Sequence, residues 1–154
     1  MIFKRLSKED LDTISIVRFK PTPDVIVGIK ESFATGFSTK YKYEAIKESF
    51  NKYEYYGIVD DNKYSVIGIT FMDKSTEPDY IKKAIKGSRF MVISNLVSRK
   101  KGRGGLLVEY VINKHSLMPV FLTARHKSLI TYYEKFGFKS ILTDKQNHYP
   151  MVKQ

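Results

Sequence analysis

A basic, glycine-rich turn lies between two apolar runs of different period. No other part of the chain constrains the fold as much. Phe90 to Val97 reads as an apolar strand, and Leu106 to Ile112 has helical spacing. Between them stands Arg99-Lys100-Lys101-Gly102-Arg103-Gly104. A strand that turns tightly into a helix leaves the first backbone N–H groups of that helix without intrahelical partners. Those donors sit at the positive end of the helix dipole, so such a turn cradles an anion, pyrophosphate above all. Gly102 and Gly104 bring the main chain close to a ligand, because no Cβ intervenes. Arg99, Lys100, Lys101 and Arg103 add positive charge at the same place.

The period of the apolar residues divides the rest of the chain. Ile2 to Leu6 alternates like a short strand. Ser7 reads as an N-cap with Asp10 three residues on, and a helix is expected from about Lys8 to Phe19, ended by Pro21 and Pro23. Asp24 is placed to cap a helix over Val25–Phe33 that Gly36 ends. Tyr41 to Tyr53 reads as another helix, with Ile46 and Phe50 four apart. Then the period shortens. Tyr55–Asp60 and Tyr64–Phe71, joined by a turn at 60–63, predict a hairpin. Asp73 to Gly87 is polar, with one or two helical turns expected at Tyr80–Ile85. Arg89–Ser98 is the strand before the glycine turn, Gly105–Lys114 the helix after it, and Val120–Thr123 a further strand. Ser128 reads as the cap of a helix over Leu129–Phe136 that stops at Gly137, and Phe138–Leu142 is a last strand. The order β, α, α, α, β, β, β, α, β, α, β predicts an α/β fold built on a mixed, mostly antiparallel sheet.

Composition narrows the class. A chain of 154 residues with 42% apolar residues is expected to form one domain over 1–154 with a real core. It has no run long and apolar enough for a membrane span and no signal-peptide pattern, so a cytoplasmic location is expected. The lack of cysteine removes disulfides, thiolate nucleophiles and cysteine metal ligands. His115, His126 and His148 lack paired-ligand spacing, so no metal is expected. No Gly-x-Ser-x-Gly, dinucleotide fingerprint or P-loop is present.

The net charge of +11 is unevenly placed. Residues 1–80 carry 12 Lys/Arg against 13 Asp/Glu, whereas residues 81–154 carry 15 against 3. Lys82, Lys83, Lys86 and Arg89 extend the basic run of the glycine turn. Such a field attracts a nucleic acid or an acidic partner, or it serves only as a solvated surface.

A second block stands downstream, Thr131-Tyr132-Tyr133-Glu134-Lys135-Phe136-Gly137-Phe138. With Arg99-x-x-Gly102-x-Gly104, in this order and at this spacing, it resembles the GCN5-related N-acetyltransferases over roughly residues 55–142. The resemblance implies a sheet whose strands splay after the glycine-turn strand, with the pantetheine arm of acyl-CoA in the gap. It implies acetyl-CoA as co-substrate and direct transfer of an acetyl group to a primary amine. The acceptor stays open among a small amine, a protein or peptide amine, and a nucleic-acid-linked amine. Dimers are frequent in that family, so a homodimer is compatible.

Carried over by residue, the cofactor contacts are Leu96, Val97 and Ser98 for pantetheine, and Arg99, Lys101, Gly102, Arg103, Gly104 and Gly105 for pyrophosphate. Tyr133 matches the tyrosine that protonates the leaving thiolate, a role suited to an O–H of pKa near 10. The alternative is a core aromatic on the last helix. Three departures stand out. His126 replaces the asparagine seven residues before that tyrosine, which often contacts the cofactor in that family, so His126 is carried over as a cofactor contact in its place. The strand 89–98 has Ser94 and Asn95 but no carboxylate to act as a base, which leaves Glu44, Glu48, Glu54, Asp60 and Asp61 as remote candidates. The turn before Arg99 is short. A non-catalytic module that binds CoA or nucleic acid on the same fold is the competing interpretation. Tyr41–Tyr56 either lines an acceptor pocket or packs the core.

Overall fold

A computed structural model describes residues 14–36, 42–141 and 149–154. The expected strand at Ile2–Leu6, the Ser7 cap and the first part of the 8–19 helix lie outside the described residues, as do Tyr41, Leu142 and His148. The elements are β1 (Val17–Arg18), α1 (Pro23–Gly36), α2 (Tyr43–Ser49), β2 (Glu54–Asp60), β3 (Lys63–Asp73), α3 (Asp79–Ala84), β4 (Arg89–Val97), α4 (Arg103–Lys114), β5 (Val120–Ala124), α5 (Leu129–Glu134), β6 (Lys139–Ser140) and β7 (Tyr149–Lys153). A 3₁₀ turn at Lys74–Thr76 follows β3.

The strands form one sheet in the order β1-β2-β3-β4-β5-β7-β6. The pairs β1–β2, β2–β3, β5–β7 and β6–β7 are antiparallel, and β4–β5 is parallel. A parallel pair needs a crossover, and α4 supplies it. The β4–β5 ladder joins Met91 to Val120 and Val92 to Phe121. Among the described residues, Ile93 and Ser94 form no pair with β5, so the two strands part after a short common start, as the resemblance implied.

Two expectations fail for physical reasons. Val17 and Arg18 are strand, not the end of a helix. They pair with Gly57 and Tyr56, and the Phe19 N–H donates to the Tyr55 carbonyl at 2.8 Å. The Phe19 ring lies over Gly57, where a Cβ would collide with it. Cross-strand pairing overrides an apolar stripe at helical spacing. Ser128 does not cap α5: its backbone is helical and its side chain makes no capping bond. The helix is instead entered through a turn in which the His126 carbonyl accepts the Leu129 N–H at 2.9 Å.

The hairpin is as expected. Asp61 and Asn62 both have positive φ (46° and 67°), the geometry of a two-residue turn that matches strand twist.

By their internal contacts the residues group into two compact units, Met1–Ile69 with Asn95–Val108, and Thr70–Ser94 with Glu109–Gln154. In the first, Phe19, Ile26, Ile29, Phe33, Ile46, Tyr55, Val66 and Val97 form the core. In the second, Ile81, Ile85, Phe90, Phe121 and Val152 pack together. Among the described residues no helix is long and apolar enough to cross a membrane.

Candidate cofactor site

The glycine turn belongs to the first unit. β4 ends at Val97, whose side chain enters the core and leaves only its main chain for a ligand. Leu96 beside it is half-buried. Two serines then fix the turn. Ser65 Oγ, wholly buried on β3, accepts the Arg99 N–H at 2.9 Å. Ser98 Oγ donates to the Lys100 carbonyl at 2.7 Å and accepts the Gly104 N–H at 3.2 Å. The Arg103 N–H reaches the Lys100 carbonyl at 3.1 Å, and the Leu106 N–H reaches Gly102 at 3.3 Å. Gly102 has φ +84° with open space where a Cβ would be, a conformation only glycine adopts without strain. The helix starts at Arg103, two residues before the sequence expectation.

This bonding leaves a specific set of donors over. Among the described residues, the N–H groups of Lys101, Gly102 and Gly105 have no hydrogen-bond partner. They lie at the start of a twelve-residue helix, where the dipole favours negative charge. The residues therefore fit a pyrophosphate through main-chain donors. Lys101 is exposed and Arg99 half-buried, so both remain placed to add charge.

Arg103 behaves differently from the expectation. Its side chain is buried, and it holds Asp60 through Nε–Oδ2 at 3.0 Å and Nη2–Oδ1 at 3.1 Å. Lys100 Nζ lies 4.0 Å from the same carboxylate. The guanidinium bond, set against partial burial, holds the Asp60 carboxyl below its ordinary value. Arg103 thus braces the helix start against the end of β2. Asp60, ion-paired and acidic, is a poor proton acceptor.

The other carboxylates are no better placed. Glu54 Oε1 accepts the Tyr56 hydroxyl at 2.7 Å and lies 3.8 Å from Arg18. Glu44, Glu48 and Asp61 are exposed, and on β4 Ser94 is exposed and Asn95 half-buried. For the aromatic segment, packing wins over pocket lining. Tyr43, Phe50, Tyr53 and Tyr55 all join the first core, and Phe50 meets Tyr55 edge-on at 4.8 Å.

Tyr133 and His126 belong to the second unit. Tyr133 is 9% exposed, edge-on to Tyr132 at 5.2 Å and to Phe138 at 6.1 Å. Among the described residues its hydroxyl has no hydrogen-bond partner. Burial first, and Tyr132 second, push its pKa up to about 12. Such a group stays protonated at neutral pH, so it can donate a proton and not accept one. α5 ends where Gly137, at φ +93°, lets the Phe138 N–H reach back to the Tyr133 carbonyl at 3.4 Å. His126 is exposed in the turn before α5. Lys82, Lys83, Lys86 and Arg89 are likewise exposed.

No protein-family model and no curated protein matches the sequence. Solved structures do match. Arabidopsis thaliana NAA60, in complex with acetyl-CoA, aligns with a TM-score of 0.70 at 17% identity, over 91% of this chain and 97% of that one. Bacillus subtilis N-acetyltransferase YlbP, in complex with coenzyme A, gives 0.64 at 14% identity, over 91% and 95%. Chaetomium thermophilum Naa20, with a bisubstrate analogue, gives 0.64 at 16% identity, over 90% and 85%. The fold is that of the GCN5-related N-acetyltransferases.

Proposed function

We propose that this chain is an acetyl-CoA-dependent N-acetyltransferase that transfers the acetyl group directly to a primary amine. One observation carries this: three unpaired N–H groups at a serine-braced glycine turn, in a fold whose solved examples include acetyl-CoA and coenzyme A complexes. Acetyl-CoA supplies an activated thioester. The N–H groups of Lys101, Gly102 and Gly105 receive its pyrophosphate, with charge from Arg99 and Lys101. Gly104 contributes its small size, since its N–H is held by Ser98. The main chain of Leu96, Val97 and Ser98 holds pantetheine.

Direct transfer needs no protein nucleophile, so a chain without cysteine suffices. As the new C–N bond forms and the C–S bond breaks, the departing thiolate takes a proton from the Tyr133 hydroxyl. The amine releases a proton to solvent, and Tyr133 is reprotonated from there. The acceptor is an amine that arrives neutral, because no described carboxylate is free to deprotonate it on β4.

That same feature favours the second interpretation, a CoA-binding module without turnover. Incubation with acetyl-CoA and a broad panel of amines separates the two. Because the chain has no thiol of its own, a thiol reagent reads only released CoA. Amine-dependent thiol release is the expected result. Binding without release for any amine would leave the non-catalytic module.

A further inference from the structure

Within the second unit, an open cleft of about 420 Å³ lies between the 86–89 loop entering β4 and the 114–119 loop leaving α4. It shares no residue with the 98–105 turn and needs no acetyl transfer to exist. Its volume is that of a small-ligand site. Lys86, Arg89 and Lys114 line it, and no carboxylate does. Leu117, Met118 and Pro119 also line it, with the Leu117 side chain fully exposed. His115 also lines the cleft, and its Nε2 is buried with no hydrogen-bond partner among the described residues. The ring is held edge-on to Phe71 at 5.0 Å.

The loops around the cleft are pinned. The Lys74 N–H donates to Ser88 at 2.9 Å, and Lys74 Nζ to the Ile85 carbonyl at 3.0 Å. On the other side, the Met118 N–H donates to His115 at 3.0 Å, and the Met91 N–H to Pro119 at 2.9 Å. Two negative influences act nearby. The C-terminal end of α4 carries a partial negative charge, and Asp73 attracts Arg89 at a distance. Asp73 already accepts the Ser75 N–H at 2.8 Å, and Lys114 Nζ lies over the Tyr110 ring, which leaves Lys86 and Arg89 as the cations that face a ligand. The combination selects an anion that also has an apolar, hydrogen-bonding body.

We infer that this cleft binds a nucleotide, its phosphate on Lys86 and Arg89 and its base against Leu117–Pro119, beside the His115 ring. The source of that nucleotide is a free molecule or the end of a nucleic-acid chain.

The test titrates adenosine 5′-monophosphate into the full chain by calorimetry, with His115 ring signals followed by NMR. Adenosine and a 5′-phosphorylated single-stranded RNA hexamer are parallel probes. Saturable binding that moves the His115 signals is expected, at least tenfold weaker for adenosine and at least tenfold weaker in Lys86→Glu. Lys30→Glu, an equal charge change at an exposed position of the first unit, should alter affinity less than twofold. Equal affinity for the monophosphate and the hexamer assigns a free nucleotide. A hexamer that binds tenfold tighter, with the same loss in Lys86→Glu, assigns a nucleic-acid end. Neither phosphate probe binding, or binding indifferent to Lys86→Glu, would overturn the assignment. Absence of acetyl-CoA binding would count against the acetyltransferase alone and would leave this result as it stands.

Discussion

Asp60→Asn tests the brace beneath the glycine turn. The substitution keeps shape but removes the only carboxylate that Arg103 touches among the described residues. A buried guanidinium is then left with no counter-charge. Losing one partner of a fully buried pair costs about 3–5 kcal/mol. The Arg103 side chain is 9% exposed, but that of Asp60 is 20% exposed, so solvent offsets part of the loss. A cost of about 2–3 kcal/mol follows. For a chain of this size that lowers the melting temperature by about 5–10 °C. The pH dependence has a definite sign. The folded-state pKa of Asp60 lies below its ordinary 3.8, so the pair's contribution is complete above that value and lost as pH falls through the folded one. Melting curves followed by circular dichroism should therefore differ between wild type and variant by a constant amount from pH 8 to about 5, and converge in stronger acid. A difference under about 2 °C at pH 7 would refute the reasoning, as would a gap that does not narrow as pH falls below 3.8.

Three further outcomes are expected. Tyr133→Phe should lower kcat by about 100-fold or more with the KM for acetyl-CoA unchanged. Because the hydroxyl titrates near 12, wild-type activity should show no alkaline loss from this group below about pH 11. An unchanged kcat would make the residue a core aromatic. Gly137→Ala places a Cβ on a backbone at φ +93° and 3.3 Å from Lys153 Cε, and urea unfolding should report a loss of about 1 kcal/mol or more. Equal midpoints would contradict the αL cap. Ser65→Ala removes the acceptor of the Arg99 N–H at a wholly buried position, so the Arg99 amide should exchange faster with deuterium by at least tenfold. Unchanged exchange would mean that the turn is held elsewhere.

The glycine turn and the hairpin were legible because their determinants are local. Gly102 and the Asp61-Asn62 pair declare their backbone in the residue type itself. β1 was misread because Val17 and Arg18 take their structure from Gly57 and Tyr56, about forty residues away. β7 was missed for a related reason. Pro150 argues against a strand in isolation, yet it pairs with Thr123, and its carbonyl accepts the Ile141 N–H at 3.0 Å. At the site, residue type showed that Arg103 is cationic but not where the charge points. Its partner is 43 positions away, and only the meeting of β2's end with α4's start reveals the brace. The roles of Ser65 and Ser98 were equally hidden, since a serine inside or just after an apolar strand carries no signal of the N–H it accepts.

The most direct test of the cofactor site is calorimetric titration of acetyl-CoA into the intact protein and into Gly104→Glu. The variant sets a carboxylate among the N–H groups proposed to receive pyrophosphate, in the first turn of α4. Saturable binding with Kd on the order of micromolar is expected for the intact chain. In the variant, with its circular dichroism unchanged, that binding should be lost. No binding by the intact protein, or equal binding by both, would contradict the placement of acetyl-CoA on the 99–105 turn.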